Sequence, residues 1–181
     1  MARIRPIDPD RASPEARDLL AGIEAELGFV PNVARTLAHS PKALAGVVQL
    51  DRALRRGAVD DMLRERIALA VAQENACCYC LAAHMAMGRA VGLTDEELSD
   101  SRRCTAPDGR TGAALTFVRS LVRNRGKVDD RELERLREVG FDDAGITELV
   151  AMTAYYTFTN YLTHVAETPL DFPRAGDLPP E

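Results

Sequence analysis

Apolar residues recur along this chain at three- and four-residue spacing, and no stretch alternates apolar with polar positions over a β-branched run. The pattern therefore predicts helices throughout. Ser13-Pro14, an N-cap followed by proline at the first helical position, opens a helix to about Leu27, which Gly28 stops. Phe29-Val30-Pro31-Asn32 reads as a connector, followed by a short helical stretch over residues 33–38. Ser40-Pro41 then repeats the cap-and-proline device before a helix to about Arg56 and Gly57. Asp60 caps a third long helix, roughly residues 61–76, in which Ile67-Ala68-Leu69-Ala70-Val71-Ala72 has no polar break; such a belt predicts burial on most sides. The next helix runs through Met85, Met87 and Ala90 to Val91, and Gly92 ends it. Thr94-Asp95-Glu96-Glu97 is a capping box for a short helix. Helical spacing over 112–125, a charged helix from Asp129 to about Val139, and a long apolar helix after Gly140-Phe141-Asp142-Asp143 to about Val165 complete the series. The tail from Thr168, with Pro169, Pro173, Pro179 and Pro180, is expected to be extended and to lie on a neighbouring subunit.

This predicts an all-α fold: one helical domain over 1–181, with its core at about 29–165, an extended tail at 168–181, and a central antiparallel helix pair at about 61–91. A length of 181 residues with 46% apolar composition suits one buried core and is short for two domains. A net charge of -5 supplies no basic stripe of the kind a phosphate backbone requires, which argues against nucleic acid as a partner. No run of about 18 apolar residues offers a membrane span, and Met1-Ala2-Arg3-Ile4-Arg5-Pro6 lacks the apolar core of a signal peptide, so a cytoplasmic location is expected. In a reducing compartment, clustered cysteines point to redox or metal chemistry rather than a disulfide framework.

That cluster is Glu74-Asn75-Ala76-Cys77-Cys78-Tyr79-Cys80-Leu81-Ala82-Ala83-His84, which holds three of the four cysteines and one of the three histidines. On a helix, Cys77, Cys80 and His84 share one face. The spacing has three readings. A redox dithiol would use two residues between cysteines, a helix N-terminus that lowers the thiol pKa, and an imidazole that accepts the proton. A zinc site would take Cys77, Cys80, His84 and distant Cys104, although no second CxxC or HxxxH completes the usual framework. Small cysteines simply packing a helix is the third. The absence of a βαβ unit argues against a thioredoxin fold despite the CxxC.

Two carboxylates compete for a place beside the histidine. Glu65 falls in the helical sector of Ala68, Leu69 and Ala72 and points into protein; the alternative is a pairing with Arg64 or Arg66 and a favourable place near the helix N-terminus. Glu74 lies three residues before Cys77. If the chain turns near Ala76, Glu65 lies about 16 Å back from the turn and His84 about 12 Å beyond it, which favours Glu65, with Glu74 second. Cys104, alone in its loop, reads as incidental, and His39 and His164 as surface or cap residues. Tyr155, Tyr156, Tyr161, Phe158 and Asn160 on the last helix suggest ordinary core, a partner surface or a wall of the site.

Glu74-x-x-Cys77-x-Tyr79-Cys80-x-x-x-His84 resembles the core motif of the alkylhydroperoxidase D-like proteins of the carboxymuconolactone decarboxylase superfamily. Pro31-Asn32-Val33-Ala34-Arg35 with His39-Ser40-Pro41 and Leu44 resembles the upstream segment of its peroxidase-related branch. The resemblance implies a helical fold, a proton-relay glutamate twelve positions before the first cysteine, where Glu65 stands, and homo-oligomers, commonly trimers or hexamers. It also implies reduction of a hydroperoxide. Cys80, one turn from His84, is expected to be the attacking thiolate and Cys77 the thiol that condenses with it. His84 acts as base, Glu65 as relay, and Tyr79 orients water or substrate. With no glycine fingerprint for NAD(P)H and no bound cofactor expected, a separate reductant must reopen the disulfide: a lipoyl group, a thioredoxin-like protein or a peroxiredoxin. Cys78, off the motif face, could compete for a mixed disulfide. The alternatives are lactone decarboxylation, which has no use for a dithiol, and a zinc-binding or redox-sensing oligomer.

Overall fold

Each long helix begins where a side chain can hold its first free N–H groups, and these caps set most element boundaries. In the computed structural model, which describes residues 1–178, Ser13 accepts from Ala16 N–H at the start of α1 (Pro14–Leu27), and Ser40 from Ala43 N–H at the start of α3 (Pro41–Leu54). The short α2 (Asn32–Leu37) lies between them. Asp60 caps α4 (Asp61–Glu74), and Thr94 and Glu97 form a reciprocal capping box on α6 (Asp95–Arg102) after α5 (Cys78–Ala90). α7 (Gly109–Arg123) starts three residues earlier than the apolar spacing suggests, because the Asp108 carboxylate accepts from Thr111 N–H at 2.8 Å and extends the helix through Gly109. Asp129 with Glu132 forms a second capping box on α8 (Asp130–Glu138), and Asp142 caps α9 (Asp143–Ala166). A single 3-10 turn, Pro9–Arg11, precedes them. Among the described residues there is no strand, and no helix is long and apolar enough to cross a membrane.

The uninterrupted belt of α4 is the centre of the molecule: Ile67 through Ala72 have no exposed surface, and α5, α6, α7 and α9 all pack around it. α4 and α5 form the antiparallel pair, and their contact is the most extensive between any two helices. The interior divides into three clusters. One fills the space between α4, α7, α8 and α9, with Phe117, Leu136 and Leu149; one lies under α5, with Leu69, Cys77, Tyr79, Cys80 and Leu98; one joins α1, α2 and α3 through Leu20, Leu37 and Leu44. Each fully buried aliphatic side chain contributes about 1.5–3 kcal/mol to holding these layers together.

Residues 168–178 form no helix and pack on their own chain. The carboxylate of Asp171 accepts from Asn32 N–H, Pro169 O accepts from Asn32 Nδ2 at 3.1 Å, and Gly176 O accepts from Arg102 Nη1 at 2.8 Å. Phe172 meets Phe29 and Tyr79 edge-on, at 5.5 and 6.1 Å between ring centres. Up to residue 178 the tail thus returns over α2 and α5 of its own chain. Pro179 and Pro180 lie outside the described residues.

Candidate active site

The site begins with the way α4 stops. Ala76 takes the left-handed conformation at φ 53°, its N–H bonds Gln73 O at 3.0 Å, and Cys77 N–H bonds Ala72 O at 2.8 Å. This is a Schellman ending made without glycine, and the residue that completes it, Cys77, is also the N-cap of α5. One residue therefore closes one helix and opens the next, with its sulfur set at the positive end of α5. Cys77 Sγ accepts from Cys80 N–H at 3.3 Å, lies 2.7 Å from Cys80 Sγ, with which it shares a hydrogen bond, and lies 3.0 Å from Thr163 Oγ1. Both cysteines are free thiols and almost fully buried, at 1% and 4% exposure.

These contacts divide the charge unevenly. The hydrogen bond from Cys80 outweighs desolvation and, with Thr163 and the Cys80 N–H, draws the Cys77 thiol down to about 6. The same bond, together with burial, pushes Cys80 up. The N-cap position thus gives Cys77 more donors than Cys80 in the resting pair, beside the sequence expectation that Cys80, one turn from His84, is the attacking thiolate. Proximity to His84 along the helix counts for less than the N-cap position, where a sulfur collects the donors of the first turn.

Glu65 Oε2 lies 2.8 Å from His84 Nδ1, with both side chains mostly buried. An ionised carboxylate only accepts, so His84 donates through Nδ1 and leaves Nε2 free to take a proton. The flanking arginines are engaged elsewhere, Arg64 with Asp51 and Asp61 and Arg66 with Glu97, so Glu65 is not neutralised by its sequence neighbours. Glu74, the rival carboxylate, is not at the site: it points away from α5 and forms a two-pronged pair with Arg123 of α7, at 2.6 and 2.9 Å. Tyr79 is at the site, but its hydroxyl accepts from Val33 N–H at 3.1 Å and so ties α5 to α2.

The remaining candidates separate cleanly. Cys104 is buried in the cluster beneath α7, apart from the one that holds Cys77 and Cys80, and burial pushes its thiol up to about 11. The four-ligand zinc site with Cys104 is therefore not assembled, and among the described residues no group of three or more His, Cys, Asp or Glu could hold a metal ion. Cys78 is exposed. His164 Nε2 meets Asn75 O at 3.0 Å and His39 Nε2 meets Arg5 O at 2.9 Å, both at the surface.

Two residues of the site escaped the sequence reading as contributors to the dithiol. Thr163 Oγ1 touches both sulfurs, at 3.0 and 3.6 Å, and donates to Asn160 O at 2.9 Å when it is not serving a thiolate. Asn160, 1% exposed, lies beside it. The signal was their register: Tyr156, Asn160 and Thr163 repeat at helical spacing on the buried stripe of α9.

A cavity of about 160 Å³ opens onto this arrangement. Its walls are mainly apolar, including Val33, Leu37, Val47, Met87 and Phe172. Cys80, His84, Glu65 and the rings of Tyr155 and Tyr156 lie along it; Cys77 does not. The His84 ring stands edge-on to Tyr156 at 5.2 Å, which fixes its plane. Among the lining residues, Arg52 pairs with Glu26, and Arg55 and Arg64 share Asp51. A slim apolar molecule can thus meet one sulfur, with an acid–base pair beside it and a second sulfur directly behind.

Residues 41–123 match the carboxymuconolactone decarboxylase family. The fold is similar to that of a peroxidase-related protein from Ralstonia eutropha JMP134, described as an alkylhydroperoxidase AhpD core. That match has 26% identity and a TM-score of 0.85, and covers 94% of this chain and 92% of that one. A peroxidase-related protein from Silicibacter sp. TM1040 is similar at 23% identity and a TM-score of 0.79, covering 97% and 94% of the two chains. The debrominase Bmp8 shares the fold at 17% identity and a TM-score of 0.80, covering 93% and 92%. No curated protein sequence matches this one.

Proposed function

We propose that this chain, which belongs to the carboxymuconolactone decarboxylase superfamily and to its AhpD-like group, is a peroxidase that reduces organic hydroperoxides with the Cys77–Cys80 dithiol. The observation that carries the reading is the order of groups along the cavity: Cys80 on the wall, the Glu65–His84 pair beside it, and Cys77 2.7 Å behind.

The steps balance without a bound cofactor. The proton that the dithiol releases on ionising is held at His84 Nε2; Cys80, as thiolate, attacks the outer oxygen of the hydroperoxide, the S–O bond forms, the O–O bond breaks, and the alkoxide leaves as alcohol by taking that proton. Glu65 holds the imidazole in orientation and stabilises its charged form. Cys77 then attacks the sulfenic sulfur, giving the Cys77–Cys80 disulfide and water. An external dithiol, oxidised in turn, returns the pair to thiols. A lipoyl-type arm suits this task, because the sulfurs are reached through a narrow apolar cavity. Lactone decarboxylation would leave the dithiol without a role. We also infer that the chain assembles with copies of itself, as a trimer or hexamer, through the exposed α9 face that carries Val150, Phe158, Tyr161 and Val165.

The test is a thiol count by mass spectrometry before and after one equivalent of an organic hydroperoxide, on wild type and on Cys80→Ser. A rapid Cys77–Cys80 disulfide in the wild type, with Cys77 left unoxidised in the variant, is the expected result. Thiols that survive the peroxide would overturn the reading. A polyhalogenated aromatic run in parallel, as prompted by the shared fold of a debrominase, shows whether another two-electron acceptor discharges the dithiol instead.

A further inference from the structure

The resting site contains a contradiction. The cavity reaches Cys80 and not Cys77, yet the N-cap donors that favour negative charge converge on Cys77. Before Cys80 can attack, its proton must cross the 2.7 Å between the sulfurs, and something must then hold the charge on the cavity side.

The α9 wall contains a group with that capacity. Asn160 is 1% exposed, and its Oδ1 accepts from Asn75 Nδ2 at 3.0 Å, which fixes the amide plane. Its Nδ2 is buried and has no hydrogen-bond partner. A buried amide nitrogen is normally satisfied, and one left open beside a sulfur that becomes anionic marks a donor held ready for that charge. The environment of Cys80 agrees: the Asn160 side chain is among the few influences that favour its ionised form, against Cys77 and burial. Thr163 completes the exchange. Its hydroxyl donates to Cys77 while that sulfur is anionic, and can turn to Asn160 O at 2.9 Å once Cys77 takes the proton.

We propose that Asn160, through Nδ2, is a positioning residue that receives the negative charge on Cys80 and then the oxygen of its sulfenic acid, making the cavity-facing sulfur the one that reacts. The role deepens the peroxidase reading and rests on it, but the charge-holding part can be tested without peroxide. The titratable groups around the dithiol are Cys77, which caps α5, Tyr79 and His84 of α5, Glu65 of α4, and Tyr155, Tyr156 and His164 of α9. All but Cys77 are kept in the test.

In a Cys77→Ser background, iodoacetamide alkylation of Cys80 is followed by peptide mass spectrometry from pH 6 to 10, with and without Asn160→Leu. Loss of the donor is expected to raise the midpoint of Cys80 reactivity by about one pH unit, that is, to slow alkylation about tenfold below the midpoint. Asn160→Ala, which removes the amide donor without adding a charge, should shift it the same way and covers the case in which the leucine variant does not fold. An unchanged midpoint in a folded variant, judged by circular dichroism, overturns the proposal. A shift in a protein that fails to turn over hydroperoxides would leave this assignment standing while removing the peroxidase reading.

Discussion

Cys77 owes its chemistry to position: the same thiol in mid-helix would find its neighbours' N–H groups already used. The pair is therefore expected to release its first proton at an apparent pKa of about 6, measurable as thiolate absorbance near 240 nm in the reduced protein and absent from that range in Cys77→Ser. Because the folded pKa lies below that of an unfolded cysteine, this group adds stability that is fully present above the unfolded value, about 8.5, and is lost as pH falls through about 6. Reduced wild type should thus gain stability over Cys77→Ser between pH 6 and 8.5, as read from denaturant midpoints. Glu65→Gln leaves the His84 ring without its charged partner and should lower the rate of peroxide reduction by about 100-fold at neutral pH, with disulfide formation by a chemical oxidant unaffected. The nearness of Glu65 to His84 was legible in the sequence, because two helices joined by a tight turn bring equidistant residues together. The division of charge between the sulfurs was not, since it depends on donors from the backbone and from α9, 83 positions away from Cys80. Nor could the position of Glu74 be read, since it depends on which side of α4 Arg123 approaches from.

At the scale of elements, the helix boundaries were legible because serine, threonine and aspartate caps signal themselves locally. The start of α7 was less so, because Asp108 caps across a glycine that the apolar spacing ignores. Two positions carry the geometry of the α4–α5 pair. Ala76 sits where glycine would be relaxed, and Ala76→Gly is expected to stabilise the protein by about 1 kcal/mol by relieving the left-handed backbone. Gly88, one turn beyond His84, admits α6: a β-carbon there would lie 2.5 Å from Leu98 Cδ2 and 3.2 Å from Leu93 Cδ1. Gly88→Val should cost about 2 kcal/mol of stability in urea unfolding and, by tilting α5, lengthen the Glu65–His84 contact.

For the whole molecule, α9 carries two opposed stripes. Tyr156, Asn160 and Thr163 face the site, while Val150, Phe158, Tyr161 and Val165 face outward at 44–60% exposure. The outward stripe was visible in sequence only as excess apolar character, since periodicity alone does not say which side meets the core. If it is the assembly face, Tyr161→Asp paired with Phe158→Glu should reduce the sedimentation coefficient to that of a monomer, with the fold intact by circular dichroism. The tail gives a second expectation at this scale: Phe172→Ala removes one wall of the cavity and its contacts with Phe29 and Tyr79, and should widen the range of hydroperoxides accepted. The near-complete burial of both sulfurs has a consequence for how such a protein keeps its redox account with its surroundings. A bulky, charged tripeptide thiol cannot approach the pair as a slender carrier can. The dithiol would then behave as an insulated electrode, whose oxidation state follows its dedicated carrier and drifts only slowly toward the poise of the bulk thiol pool.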